Sequence, residues 1–196
     1  MINKQIKNNK GFTLVETMFA VFILTFTIAG LMTVVANSLF AARYARDEIT
    51  VNYLLQEAID YIRNDRDTIV FLGGGAGSTD TPWNNFYTKY SNCSNTYGCY
   101  FDVLTIILNP LNPSAGPQRC SISDSCPYLY YDKDATSGSF YTYDTNNGVK
   151  TNFQRKIIVK QAINPDEIDV TVTVDWKNGG LPVTRSLETS FMKWQP

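Results

Sequence analysis

The sequence predicts an α+β chain in which a long N-terminal helix, about residues 12–68, packs against a C-terminal antiparallel β-sheet. Three observations lead there. No proline occurs between Phe12 and Asp67, and Gly30 is the one residue in that stretch that disfavours helix. Val51, Leu54, Leu55, Ala58 and Ile62 recur at three- and four-residue steps, which places them on one apolar stripe. Ile168, Val170, Val172, Val174 and Trp176 alternate with Asp169, Thr171, Thr173 and Asp175, the period of a half-buried strand.

Taken in order, the helix has two characters. Between Glu16 and Arg43 there is no charged side chain, so the run Thr17 to Ala42 is long enough to span a bilayer. Beyond Arg43 the pattern is amphipathic, and Arg46, Asp47, Asp60, Arg63 and Arg66 mostly lie off the stripe. The helical pattern fades near Phe71, and Gly73 to Gly77 read as a linker. A phosphate-cradling loop would need a following Gly-Lys-Ser/Thr, and Ser78-Thr79-Asp80 does not supply it.

Residues 80–127 are rich in Asn, Ser, Pro and Tyr and read as loops around a strand or two, one of them the apolar run Val103 to Leu108. Tyr128–Tyr131 and Phe140–Tyr143 read as edge strands. Phe153 to Lys160 reads as a strand, and Asn164-Pro165 breaks the chain between it and the alternating strand that follows. Asn178-Gly179-Gly180 reads as the turn into a returning strand, on which Leu181, Val183, Arg185, Leu187, Thr189 and Phe191 continue the alternation. One face of this sheet needs a cover, and the stripe Val51 to Ile62 supplies it.

The four cysteines form two pairs of identical spacing, Cys93/Cys99 and Cys120/Cys126. Three disulfide connectivities are possible, and the two local ones are favoured for an exported domain. The rival is a four-thiolate zinc site, whose usual two- to four-residue spacing both pairs exceed. Asn92-Cys93-Ser94 matches a glycosylation sequon whose middle residue is committed to a disulfide on the favoured reading.

The chemistry the chain can perform is bounded by its composition. It has no histidine, which removes Ser-His-Asp and Cys-His nucleophile arrangements and His-containing metal sites. Its acidic residues show no spacing that singles out a catalytic pair, and they read as solvated surface. Asp132-Lys133-Asp134 resembles the start of a calcium loop, but the sixth and twelfth places hold Ser137 and Tyr143 rather than Gly and Glu. The many tyrosines read as sheet packing. No catalytic residue, cofactor or metal is predicted, and the reading is not an enzyme.

The N-terminal stretch Lys10-Gly11-Phe12-Thr13-Leu14-Val15-Glu16 is the most specific feature. A secretory signal is cut after its apolar run, whereas here the small residue precedes it, so a cut at Gly11 keeps the membrane segment. Glu16 stands alone in an apolar run, where a carboxylate costs roughly 2.5–3.5 kcal/mol on insertion scales. From Lys10 to about Ala36 the chain resembles the class III signal of type IV prepilins and type II secretion pseudopilins. That resemblance implies a leader of residues 1–11, cleavage after Gly11 by a prepilin peptidase, and N-methylation of Phe12. It also implies pairing of Glu16 with the Phe12 amine of a second subunit.

The leader carries Lys4, Lys7 and Lys10, which predicts a cytoplasmic N-terminus and a single pass. Its removal takes the net charge from −1 to −4, with 14 basic and 18 acidic residues left, so no nucleic-acid partner is expected. The expected layout is then a transmembrane and amphipathic helix at 12–72 and an extracytoplasmic β-rich domain at 73–196. The chain starts in the cytoplasmic membrane and moves into an extracytoplasmic filament.

Leu55-Gln56-Glu57-Ala58-Ile59, followed by Arg63, Arg66 and Asp67, resembles a run common in minor pilins and pseudopilins of the V and I types. Major pilins close their last loop with cysteines near the C-terminus, and nothing after Cys126 forms such a loop. The resemblance therefore implies a minor subunit of a type IV pilus or pseudopilus. Its partners would be the major pilin, other minor pilins or pseudopilins, the inner-membrane assembly platform and membrane lipid. The alternative is a membrane- or filament-anchored adhesin.

Overall fold

The structure is a computed structural model that describes residues 11, 13–73, 80–103, 106, 116–121, 125–132, 140–146 and 148–193. The leader to Lys10, Phe12, most of the glycine stretch 73–77 and the calcium-loop-like residues 133–139 lie outside the described residues. The α+β, pilin-like pairing of a long N-terminal helix with an antiparallel sheet is the observed architecture. The helix α1 (Leu14–Gly73) runs about five residues past the expected end, because the first strong helix breaker after Gly30 is the glycine run itself. By internal contacts the chain forms two compact units, Met1–Arg46 and Asp47–Pro196.

In the first unit every described residue from Thr13 to Phe40 is exposed, large apolar side chains such as Leu14, Phe22 and Phe26 included. A window of this helix reaches a mean hydropathy of 2.4 with none of it buried, enough in length and composition to cross a membrane. Its few hydroxyls are satisfied within the helix. Thr17, Thr25 and Thr27 donate to the carbonyls of Leu14, Phe22 and Leu24, and Thr33 and Ser38 to those of Ala29 and Val34, all at 2.8–3.1 Å. A segment that spends time in hydrocarbon needs this economy, since no water is present to take the polar groups.

The second unit is built on a sheet. Its strands are β1 (Cys99–Tyr100), β2 (Gln118–Arg119), β3 (Tyr128–Asp132), β4 (Phe140–Thr142), β5 (Gly148–Gln161), β6 (Glu167–Asn178) and β7 (Leu181–Met192). β5, β6 and β7 form an antiparallel meander with unbroken register. The other edge of β5 is shared, by β3 with β4 beyond it and by β1 with β2 beyond it. The turn between β6 and β7 holds Gly179 at φ 58° and Gly180 at φ 89°. Two successive positive φ values make a type I′ turn, which only glycine or asparagine adopts cheaply, and its twist matches the strands it joins.

The stripe on α1 meets the inward face of the sheet. Val51, Leu54, Leu55, Ala58 and Ile62 are buried, as are Ile157, Val159, Ile168, Val170, Val172 and Val174. Residues 80–93 depart from the loop reading. A second helix, α2 (Asp80–Lys89), and a short 3-10 turn at Ser91–Cys93 occupy that span. The tertiary reason is an aromatic row. Trp83, Phe86 and Tyr90 recur at three- and four-residue steps, are all buried, and lead on to Phe101 and Tyr61 through ring contacts of 4.9–6.4 Å. Lys89 and the Tyr90 hydroxyl both reach Asp65 on α1, at 2.7 and 3.0 Å, and Trp83 Nε1–H donates to the Pro165 carbonyl in the β5–β6 loop. The strand expected at Val103–Leu108 also fails where it is described. Ile106 N–H donates to the Asp102 carbonyl at 3.1 Å, a helical spacing.

Burial first, and the Asp65 carboxylate second, push the phenols of Tyr61 and Tyr90 above their ordinary value of 10.0. A raised folded pKa favours the folded state fully below the unfolded value and less as pH rises beyond it. The domain should therefore lose stability from about pH 10 upward, as the unfolded chain sheds phenolic protons that the folded one keeps. Urea midpoints between pH 8 and pH 11 should fall accordingly, and Tyr90→Phe should flatten the fall. A midpoint that does not move across that window would contradict this assignment.

Candidate functional site

Two regions hold side chains whose placement needs a physical account: the start of α1, and a buried ionic centre in the second unit. At the start of α1, Thr13 Oγ1 accepts the Glu16 backbone N–H at 3.3 Å, and Thr17 N–H donates to the Thr13 carbonyl. Thr13 is thus the residue that caps the helix, and Glu16 sits at the third helical position. The spacing Thr-x-x-Glu is that of a capping box. There the carboxylate lies in the partial positive field of the first turn. Glu16 and Gly11 are both exposed, and among the described residues nothing lies within 4 Å of where a Gly11 side chain would begin. Phe12, the expected methylation site, lies outside the described residues.

The cysteines are joined as Cys93–Cys99 and Cys120–Cys126, with Cα–Cα distances of 4.6 and 4.7 Å. All four are buried. The first bridge ties the 3-10 turn after α2 to β1, which pairs with β5 at Ile157. The second ties the end of β2 to the segment that enters β3. Around them Gly98, at φ 69°, accepts the Cys120 N–H on its carbonyl. A Cβ there would come within 2.7 Å of the Ile157 carbonyl oxygen, so the strand approach requires glycine.

The ionic centre is Arg155, on the inward side of β5 and 1% exposed. One terminal nitrogen donates to Glu57 Oε2 at 2.6 Å and to the Leu54 carbonyl at 3.1 Å, and the other donates to the Phe101 carbonyl at 3.2 Å. Burial works against its charge. Tyr143 and then Glu57 outweigh that, and the guanidinium pKa is raised rather than lowered. Tyr143 in turn is pushed up, chiefly by burial and against the pull of Arg155. Beside it Asp102 accepts the Thr142 hydroxyl at 2.5 Å and the Tyr143 N–H at 3.0 Å, which closes the end of β4 over the cluster.

The strand pattern of Phe153–Lys160 does not by itself single out Arg155. Phe153, Ile157 and Val159 fix the inward parity, and Arg155 shares it. An arginine at a core position of a strand is the signal that finds it.

The first region offers a small-residue junction, a capped helix start with one carboxylate, and an apolar surface. The second holds one helix against one strand. Residues 6–32 match the family model of the prokaryotic N-terminal methylation motif. This motif is typical of the class III signal peptides of type IV prepilin-like proteins. Searches of curated proteins and of solved structures returned no match to the chain.

The buried centre makes a stability prediction. Removing Glu57 alone, as Glu57→Leu, leaves a buried cation and should destabilise the domain by about 3 kcal/mol, the low end for a broken buried pair because Glu57 is partly solvated. Replacing both partners, Glu57→Leu with Arg155→Met, should recover part of that loss, the remainder reflecting the guanidinium bonds lost at the Leu54 and Phe101 carbonyls. Denaturant unfolding of the two variants in detergent, followed by tryptophan fluorescence, measures the difference. Equal stability of the single and double variants would show that the pair is not coupled.

Proposed function

We propose that this chain is a pilin-like structural subunit, cut after Gly11 and assembled through its N-terminal helix into a type IV pilus or pseudopilus. The observation that carries the reading is the methylation motif over residues 6–32, which ends inside an exposed apolar helix. Leader, small residue, aromatic, carboxylate and span all follow in that order. In this reading the mature N-terminus is N-methylated Phe12, produced by a prepilin peptidase. Thr13 and Glu16 begin the helix, and the apolar surface first faces lipid and then other subunits. Glu16 is a register device. A subunit stacked at the right axial offset presents its Phe12 amine to the carboxylate, and any other offset leaves the charge alone among apolar side chains.

The finer assignment is a minor subunit, acting at filament initiation or at the tip. It is supported by the resemblance of Leu55–Asp67 to minor pilins and pseudopilins, and by the place of the disulfides, both upstream of residue 127 and far from the C-terminal strand. Its partners in this reading are the major subunit, other minor subunits and the assembly platform of the inner membrane.

N-terminal peptide mass spectrometry of membrane fractions should find a chain that begins at methylated Phe12. A first residue inside or after Phe19–Val35 would mean an ordinary secretory signal instead. Glu16→Leu keeps the junction and the span, so it should insert and be cut normally yet enter sheared filaments poorly. Unaltered incorporation would remove the assembly role of the carboxylate. Quantitative mass spectrometry of purified filaments should find the chain scarce. If it is their most abundant protein, the minor-subunit assignment is wrong.

A further inference from the structure

The second unit has two distinguishable ends. Within it β7 and α1 run the same way. Arg185 on β7 pairs with Glu48, near the start of the unit, and Arg66, further along α1, stands over the Phe191 ring at 5.2 Å. Leu181 comes four residues before Arg185. At about 3.3 Å per strand residue, that puts the β6–β7 turn roughly 13 Å past the Arg185–Glu48 pair. It lies at the end where the chain enters the unit, at Asp47. The β5–β6 loop, with exposed Ile163, stands at the opposite end, since Ile168 pairs with Phe191.

The entry end is tied closely to the membrane segment. Five residues lead from Ala42, the last of the uncharged run, to Asp47. However the chain runs between them, the two lie within about 18 Å. The headgroup layer itself occupies about 5–7 Å on each side of the hydrocarbon. So short a tether holds the entry end of the unit at the bilayer, and the β6–β7 hairpin projects from that end.

The hairpin tip has the make-up of an interfacial segment. Leu181 is 72% exposed although it is a large apolar side chain on an ordered turn. Pro182 and Lys177 beside it are exposed and pair across the two strands. Lys177 stands on the face of the hairpin opposite to Leu181. Asp175, the carboxylate nearest the turn on these two strands, is occupied by the Thr184 hydroxyl. The tip therefore presents apolar side chains with one lysine beside them.

We infer that the hairpin tip, Lys177–Pro182, rests in the headgroup layer of the membrane that α1 crosses. Leu181 and Pro182 enter the acyl boundary, and the Lys177 ammonium reaches the lipid phosphates on its flexible stem. This rests on the membrane-anchored reading above and names a lipid contact of the globular unit, made before assembly. The contact orients the unit on the bilayer, and extraction into a filament has to break it.

The test uses the full-length chain in vesicles of phosphatidylcholine with phosphatidylglycerol. All four native cysteines are held in disulfides, so one added cysteine takes a thiol-directed label. Leu181→Cys and Pro182→Cys place a polarity-sensitive fluorophore on the hairpin, two sites in case a label at one disturbs the turn. Ile163→Cys places it at the opposite end. The expected result is blue-shifted emission at 181 and 182, with marked loss when the lipids carry a nitroxide at the headgroup, and neither effect at 163. Lys177→Glu in the Leu181→Cys chain should reduce that loss. Emission at both hairpin sites as polar and unquenched as at 163 overturns the inference and leaves the membrane anchor standing. Equal quenching at 163 and 181 also overturns it, because the unit then lies along the bilayer and does not stand on its hairpin. Quenching unchanged by Lys177→Glu removes the lysine from the contact. A chain that alkaline carbonate washes from the vesicles overturns the membrane reading beneath the inference.

Discussion

The second unit depends on one guanidinium. Arg155 leaves the middle of β5, crosses the interior, and ends among a helix carbonyl at Leu54, a helix carboxylate at Glu57 and the Phe101 carbonyl that follows β1. Apolar packing between α1 and the sheet is non-directional, so a helix with this stripe could slide by a turn and still bury much the same area. The planar fork of an arginine cannot follow such a slide, because its donors would face unfilled positions at a cost of several kcal/mol. Its role is therefore to select one register of helix on sheet more than to add net stability. The same side chain brings the aromatic row through Phe101 into line with α1.

Along α1 the same backbone serves two solvents. Before Arg43 the hydroxyls of Thr17, Thr25, Thr27, Thr33 and Ser38 are back-bonded to helix carbonyls, and apart from Glu16 and Asn37 the remaining exposed surface is apolar. From Asp47 on, polarity is distributed by face. One side is buried in the core, and the other carries short-range ion pairs such as Arg63–Asp60 and Arg66–Asp67. Those surface pairs contribute little to stability. Glu16 is the single carboxylate before Asp47, and its place at the third helical position lowers part of its cost through the helix field.

The parts of this fold that were legible in the sequence are those whose pattern repeats. The stripe Val51–Ile62, the alternation on β6 and β7, and the Asn-Gly-Gly turn each state their period several times over; of the expected edge strands Phe140–Tyr143 lies at an edge as β4, whereas Tyr128–Tyr131 lies inside the sheet as β3, paired with both β4 and β5. What escaped was decided by single residues or by distant partners. Helix α2 has the composition of a loop, and it forms because Trp83, Phe86 and Tyr90 find Phe101 and Asp65. Pro82 in its first turn was a usable local signal. Arg155 was visible by parity alone. At the candidate processing site the reverse holds. Gly11, Phe12 and Glu16 are recognisable by motif, while the geometry around them adds only the cap from Thr13.

The two disulfides carry a consequence for the fidelity of oxidation. Each bridge joins residues six apart. Contact between chain ends is more frequent the shorter the loop, so each thiol in an unfolded chain meets its own partner before either of the others. The nearest wrong pairing, Cys99 with Cys120, must close a loop more than three times as long. Correct pairing is thus the kinetically first outcome and not one that has to be recovered by shuffling. A cell could complete this domain with an oxidant alone, and the demand on disulfide isomerases would be small.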